Sequence, residues 1–218
     1  MTAEARLAIV RAAEELFALH GVEGPSLREI ARRAGQGNTN AAQYHFGDRD
    51  GLLLAVLDRH RPRVEERRSE LLDMAEAAPV PEPRGLSTAL VGPLVAELSE
   101  ADGGPAHLQI VAEVLARPVR FADVLDAHWA APSIRRWSEL VEPVLPPEAV
   151  GRPLHRRFAV VRFVHAELAS RARERGRRAD HRLFASHLVD LVTAMLAAPV
   201  TPWTTDLIRP QHHGGRTR

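Results

Sequence analysis

Between Ser26 and Leu53 the chain reads SLREIARRAGQGNTNAAQYHFGDRDGLL, and no other stretch narrows the possible folds so far. Ser26 followed three residues later by Glu29 is the capping-box pattern, which satisfies the free amide groups of a helix start. Leu27, Ile30, Ala31 and Ala34 then recur at helical spacing and give that helix one apolar face. Gly35 stands where helices commonly end in a left-handed conformation that glycine adopts cheaply. A turn is predicted there, followed by a second short helix from Asn38 to Phe46 with Ala42 and Phe46 one turn apart. Upstream, a helix from about Glu4 to His20 carries Val10, Ala13 and Phe17 on one stripe, with Ile9 and Leu16 beside it. Three helices can therefore share one small core.

The face of the second short helix left outside that core holds Thr39, Asn40, Gln43 and Tyr44. Amides there suit base edges in a major groove, where Asn and Gln pair in bidentate fashion with adenine. Tyr44 and His45 can reach phosphates. Short polar helices joined by a glycine turn also occur where no nucleic acid is bound. The alternative is therefore an all-helical small-molecule-binding protein or enzyme that does not bind DNA. For an enzyme the sequence gives little: no nucleophile with its base, paired carboxylates or phosphate loop occurs at informative spacing. No catalytic residue is assigned and no cofactor is implied.

These residues resemble the amino-terminal pattern of the TetR family of bacterial transcriptional regulators. The resemblance is carried by Ala12-Ala13, Leu16-Phe17, Gly21, Ser26-Leu27, Ile30-Ala31, Ala34-Gly35, Tyr44-His45-Phe46-Gly47, Arg49 and Leu52-Leu53. It covers roughly the first 55 residues; the remainder is similar only in helical character and length. The resemblance implies a helix-turn-helix repressor that binds a double-stranded, pseudo-palindromic operator as a homodimer and is released by a small-molecule effector. The DNA-contacting set is then Ser26, Arg28, Asn38, Thr39, Asn40, Gln43, Tyr44, His45 and Arg49. Arg49 stands where the family commonly has a lysine that contacts phosphate. One departure is plain: the run Gln36 to Tyr44, between Ala34-Gly35 and His45-Phe46, is one residue longer than the usual pattern. It alters the turn or the start of the recognition helix, and so bears on Asn38, Thr39 and Asn40 more than on Gln43, Tyr44 and His45 downstream.

Bulk charge does not argue for DNA. The net charge is +1, and the first 50 residues hold six arginines against seven acids. Any basic surface must come from placement, with Arg28, Arg32, Arg33 and Arg49 outward and the acids elsewhere. Cysteine is absent, which excludes disulfides and thiolate metal sites. His181 and His187 lie on different faces of their helix, and no metal site is expected. The amino terminus is unlike a signal peptide, and no apolar run approaches the ~18 residues that span a bilayer. A cytoplasmic protein with no membrane partner is expected.

The predicted fold is all-α, an amino-terminal three-helix helix-turn-helix domain (1–47) followed by a larger helical ligand-binding and dimerisation domain (48–198) and a flexible tail (199–218). Asp48 caps a long helix in which Pro62 predicts a kink or a split, into about Asp48–His60 and Pro62–Ala77. APVPEPRG at 78–85 reads as the clearest break in the chain. Helices follow at about Leu86–Ser99, Pro105–Arg117, Phe121–Trp129 and Ser133–Leu145. Two longer ones, about Pro153–Arg175 and Asp180–Ala197, are expected to form the dimer interface. Leu154, Phe158, Val161, His165, Leu168 and Ala172 recur in the first at spacings of four and three, a seam suited to a partner helix, although the same pattern also fits a bundle within one chain. The effector pocket is expected among His107, Phe121, Trp129, Trp137, Phe163 and His165, although His165 on that seam also reads as a bonded core histidine.

Overall fold

The computed structural model describes residues 2–36, 41–77, 82–174 and 180–208, and within them the chain is all-α, with no strand. Three helices open it: α1 (Ala3–His20), α2 (Leu27–Arg33) and α3 (Ala41–Phe46). Ser26 caps α2 as its sequence position predicts, its Oγ accepting from the Glu29 backbone N at 3.1 Å. Gly35, at φ 69°, ends α2 with the Gln36 N–H bonding back to the Ala31 carbonyl at 3.0 Å. That 6→1 bond satisfies a carbonyl the helix end would otherwise strand. Gly47, at φ 74°, follows α3 and its own N–H bonds back to the Gln43 carbonyl at 2.9 Å. Ile9, Val10, Ala13, Phe17, Ile30 and Ala42 are buried between the three helices and the start of the next.

Asp48 caps α4 (Arg49–Glu76), its Oδ1 accepting from the Gly51 N at 2.8 Å. The split expected at Pro62 is absent: α4 is one helix through the proline. Pro62 still removes the N–H that would bond the Asp58 carbonyl. Continuity comes from packing, because Leu53, Val56, Leu57, Val64, Leu72 and Ala75 form a buried stripe on both sides of it. The stripe also holds two polar members, His60 and Arg68.

The rest of the chain wraps α4. In order come α5 (Pro83–Glu97), α6 (Gly104–Ala116), α7 (Ala122–Trp129), α8 (Pro132–Val141), a 3-10 turn (Glu142–Val144), α9 (Pro147–Val150), α10 (Arg156–Arg173), α11 (Arg182–Ala197) and α12 (Pro202–Ile208). The break expected at 78–85 is shorter at its end, since Pro83 opens α5, a position where its missing N–H costs nothing. α5 lies between α4 and α11, α6 packs on α10, and α1 rests on both α6 and α4. Trp137, essentially buried, pins α8 to α5 by donating from Nε1 to the Leu86 carbonyl at 2.8 Å.

Two expectations are corrected here. The segment 199–218 is not wholly a tail, because Pro202–Ile208 forms α12; residues 209–218 lie outside the described residues. The α10 seam is turned inward rather than toward a partner: Val161, His165 and Leu168 are buried in the chain's own core, and Phe158 packs against Trp129. Periodicity marks an apolar face but not the surface that covers it. No single helix among the described residues is long and apolar enough to cross a membrane; α11 and α12 qualify only as a pair bent by 60°.

A Cβ added at Gly47 meets nothing within 4 Å, so a substitution there tests backbone conformation alone. Gly47→Ala is expected to cost about 1–2 kcal/mol in urea unfolding. An unchanged midpoint would show that the α3 to α4 turn does not depend on the left-handed residue.

Candidate nucleic-acid interface

α3 is short because its work is divided: Ala42 is fully buried and Phe46 half-buried, while Gln43 and Tyr44 face solvent. Tyr44 is 85% exposed, its ring meeting His45 edge to face with centroids 5.2 Å apart. Phe46 is covered from the other side by the Arg6 guanidinium, 4.9 Å from its centroid. The structure thus brings Gln43, Tyr44 and His45 together on one exposed element. Arg28, on α2, is exposed, and Ser26 is an exposed cap. Asn38, Thr39 and Asn40 lie outside the described residues. Arg49 is less available than its sequence position predicts, because Nη1 donates to the Val22 carbonyl at 2.8 Å and ties the start of α4 to the α1–α2 turn.

The near-neutral composition of this region is resolved by direction. Glu23 is bridged by Arg117 and Arg120 from the end of α6 and the turn after it, and Asp50 by Arg120. Glu14 is buried against α4, and Asp48 is spent as a cap. The first 50 residues therefore turn much of their negative charge toward the core or into helix ends, leaving Arg28 and Arg32 exposed on α2. Arg33 is paired with Glu15 at 2.7 Å, a surface pair that contributes little to stability.

Two anchors fasten the three-helix unit to the core. In the first, Glu113 of α6 accepts from the Val22 backbone N through both carboxylate oxygens, each at 3.1 Å. In the second, His60 of α4, wholly buried, stands between two carboxylates. Its Nε2 meets Glu14 of α1 in a short contact, and its Nδ1 lies 3.0 Å from Glu97 of α5. Arg59 pairs with Glu14 and Asp102, and Arg63 with Glu97 at 3.1 Å. Arg11 also reaches Asp102 at 3.1 Å, Arg67 reaches Glu97 at 3.8 Å and Glu100 lies 3.7 Å from Arg63, so the cluster extends beyond His60 and its two carboxylates to the surface. Burial alone would lower the His60 pKa, but hydrogen bonds to Glu14 and Glu97 and their charges outweigh it and hold the ring above its ordinary value. Burial pushes Glu97 the other way from the bonds of His60 and Arg63, and the bonds prevail, leaving its carboxyl below the usual range. His107 of α6 stacks on the His60 ring, centroids 4.4 Å apart.

Behind this joint lie two adjoining cavities, the outer open to solvent and the inner set in the core. The outer one, about 320 Å³, is walled by Trp129, Trp137, Phe158 and Val161 and carries Arg135 and His155 at its lining. The inner one, about 30 Å³, reaches from Trp129 to Arg68, Glu65, His107 and His165. Of the pocket residues expected from sequence, the structure gathers His107, Trp129, Trp137 and His165 around these spaces. Phe121 stands apart, buried beneath the guanidinium groups of Arg117 and Arg120. Phe163 stands apart too, lining a shallow hollow between α6 and α10. His165 is a bonded core histidine as well as a cavity residue, its Nδ1–H donating to the Val161 carbonyl at 2.9 Å. Sequence reasoning missed His60 and Arg68. Both carry a legible signal, as lone polar residues at core positions of the α4 stripe. Among the described residues no cluster of His, Asp and Glu could hold a metal ion.

Comparison with known proteins agrees with this geometry. Residues 9–56 match the family described as bacterial regulatory proteins, tetR family. No curated protein matches the chain. Among solved structures, a bacterial regulatory protein in the tetR family from Rhodococcus RHA1 superposes with a TM-score of 0.53 at 20% identity, over 92% of this chain and 100% of that one. A protein from Mesorhizobium loti, described as a TetR-family transcriptional regulator, gives 0.53 at 19% identity over 90% and 98%. A transcriptional regulator from Streptomyces coelicolor gives 0.51 at 17% over 90% and 99%. At these identities the likeness establishes a shared fold.

The raised His60 value sets a pH dependence. A group whose folded pKa lies above its unfolded one adds stability that is fully present below the unfolded value, ~6.5, and lost as pH rises through the folded value. Urea stability of the wild type should therefore fall as pH rises above ~6.5 relative to His60→Gln, which cannot titrate there. Parallel profiles for the two proteins would show that the clamp does not need the imidazolium.

Proposed function

We propose that this chain, whose residues 9–56 match the tetR family of bacterial regulatory proteins, is a member of that family and a repressor whose dimer sets two copies of α3 in successive major grooves of a pseudo-palindromic operator. The observation that carries the reading is the exposure of Gln43 and Tyr44 on α3 and of Arg28 and Arg32 on α2, with Glu14 buried in the joint and Glu23 and Asp50 ion-paired at the surface with Arg117 and Arg120. Gln43 reads bases, Tyr44, His45, Arg28 and Ser26 hold phosphates, and Arg49 serves as a cation at the groove edge and a brace for the turn. Asn38, Thr39 and Asn40 belong to the same surface on this reading. Residues 1–47 form the DNA-binding unit and 48–198 the ligand-binding and dimerisation unit. The homodimer uses the outward faces of α10 and α11, where Ala159, Ala166, Leu183 and Leu191 are exposed.

Effector enters the outer cavity and releases the operator through the joint. His107 borders the inner cavity and stacks on His60, which is bonded to Glu14 of α1. A ligand that displaces His107 disturbs the clamp that sets the angle of the three-helix unit. A roughly hundredfold preference for the released state corresponds to ~2.7 kcal/mol of coupling, an ordinary allosteric magnitude.

Footprinting on the DNA flanking its own gene tests the core of the proposal; a single protected palindrome is expected, and failure to protect any site across a genomic library would overturn it. On that site Gln43→Ala should lose discrimination between operator and mismatched sequences, by about 1–3 kcal/mol at the position read. Arg49→Ala should weaken all sequences alike. Mass in solution should correspond to a dimer, and a monomer at micromolar concentration would remove the two-site geometry.

A further inference from the structure

The two cavities that meet at Trp129 share a charge character. Arginine and histidine line both: Arg135, Arg157 and His155 the outer, Arg61, Arg68 and His107 the inner, with His165 beside them. Glu65 is the one carboxylate among their described lining residues. That carboxylate is committed elsewhere. Its Oε2 accepts from the Ser133 backbone N at 2.8 Å and its Oε1 from the Ser133 hydroxyl at 2.6 Å. Glu65 thereby caps α8, whose own N-cap residue Ala131 offers no side-chain bond, and the positive end of that helix answers its charge.

Arg68 is the buried cation left under-paired. Only 5% exposed, it donates from Nη1 to the Ser133 Oγ at 3.0 Å and approaches Glu65 no closer than 3.6 Å. Its Nε has no hydrogen-bond acceptor. Burial lowers its pKa to about 10, opposed by Glu65, so it remains a cation near neutrality. Burial pulls His165 down to about 4, opposed by the Val161 carbonyl and helped by the Arg68 charge, so that ring stays neutral and cannot repel an anion. A guanidinium with an unmet donor in a dry site is costly until an acceptor completes it, and its planar fork fits a carboxylate. The inner cavity, about 30 Å³, has room for a group of a few atoms, while the outer, about 320 Å³, has room for rings against Trp129, Trp137 and Phe158.

From this geometry we infer that the cavity binds a small aromatic or otherwise apolar carboxylic acid, its carboxylate seated on Arg68 and its apolar body in the outer cavity. The inference rests on the effector-pocket reading above and gives that pocket its ligand class. Three probes of one shape separate the two ideas: 2-naphthoate, uncharged 2-naphthalenemethanol and cationic 2-naphthylmethylammonium, each titrated calorimetrically into the full chain. Naphthoate should bind roughly ten- to hundredfold tighter than the alcohol, as a charge-assisted bond requires, and the ammonium weaker than either. The advantage should vanish in Arg68→Met and survive in Arg135→Ala. Should Arg68→Met not fold, Arg68→Lys replaces it; keeping the charge without the fork, it should retain only part of the advantage. Equal binding of acid and alcohol by the wild type would overturn the ligand class while leaving the pocket standing. Loss of the preference in Arg135→Ala but not at Arg68 would overturn the deep seat. Binding of none of the three would overturn the pocket reading and this inference with it.

Discussion

The structure turns on a single buried constellation, the imidazole of His60 held between Glu14 and Glu97. Each of the three residues belongs to a different helix, α1, α4 and α5, and none of them has water to fall back on. Removing one partner leaves an uncompensated charge in a dry site, which is far more costly than any single surface pair. The relative placement of the three-helix unit and the core is therefore set by a few charge-assisted bonds. Apolar contact adds affinity between these parts, but it does not fix an angle as sharply as bonds that must be aligned to exist. The second anchor, Glu113 on the Val22 backbone N–H, works in the same way from α6.

The same pairing explains a surface that composition conceals. A region with six arginines and seven acids has no reason, as a bulk object, to approach a polyanion. Fold directionality separates the two signs: Glu14, Glu23 and Asp50 meet arginine or histidine from the core, and Arg28 and Arg32 are left outward. Charge serves twice at Glu14, which is withdrawn from the surface and helps to hold the unit in place, while Glu23 and Asp50 are neutralised at the surface by Arg117 and Arg120. Arg117 and Arg120 are part of that arrangement rather than of any ligand site.

Local chemistry was legible in the sequence wherever it was local. Ser26, Gly35 and Asp48 mark helix ends because each acts on atoms within a few residues of itself, and the structure places all three as read. The three-helix unit followed from those marks and from Ala42, Phe46 and Phe17. What could not be read was what a face meets. The α10 seam of Val161, His165 and Leu168 has the spacing of a partner interface, yet the covering helices come from the same chain. Pro62 has the right chemistry to end a helix, yet buried neighbours before and after it outweigh one missing hydrogen bond. Phe121 and Phe163 are large side chains in the right part of the chain, and only the packing shows that arginines cover the first and that the second lines a hollow away from the cavities. His60 and Arg68 were visible as polar interruptions of an apolar stripe, but their partners lie on other helices, 37 or more residues away.

Those two interruptions also give α4 its mechanical meaning. They sit two turns apart on one helix, His60 in the clamp to α1 and Arg68 at the cavity, and Pro62 falls between them. An intact helix transmits a shift of one turn to the next because each backbone bond resists stretching. Here the Asp58 carbonyl, facing the proline, has no N–H four residues on, so the helix is softest beside His60, at the cavity side of the clamp. On the proposed function, a ligand drawing on Arg68 would pull at one end of that turn, and His107, touching both the cavity and the His60 ring, would press on the other. On the proposed function the two routes converge on the Glu14 bond. The site that senses the ligand and the site that holds the reading head are then consecutive features of one helix face, and no longer pathway between them is required.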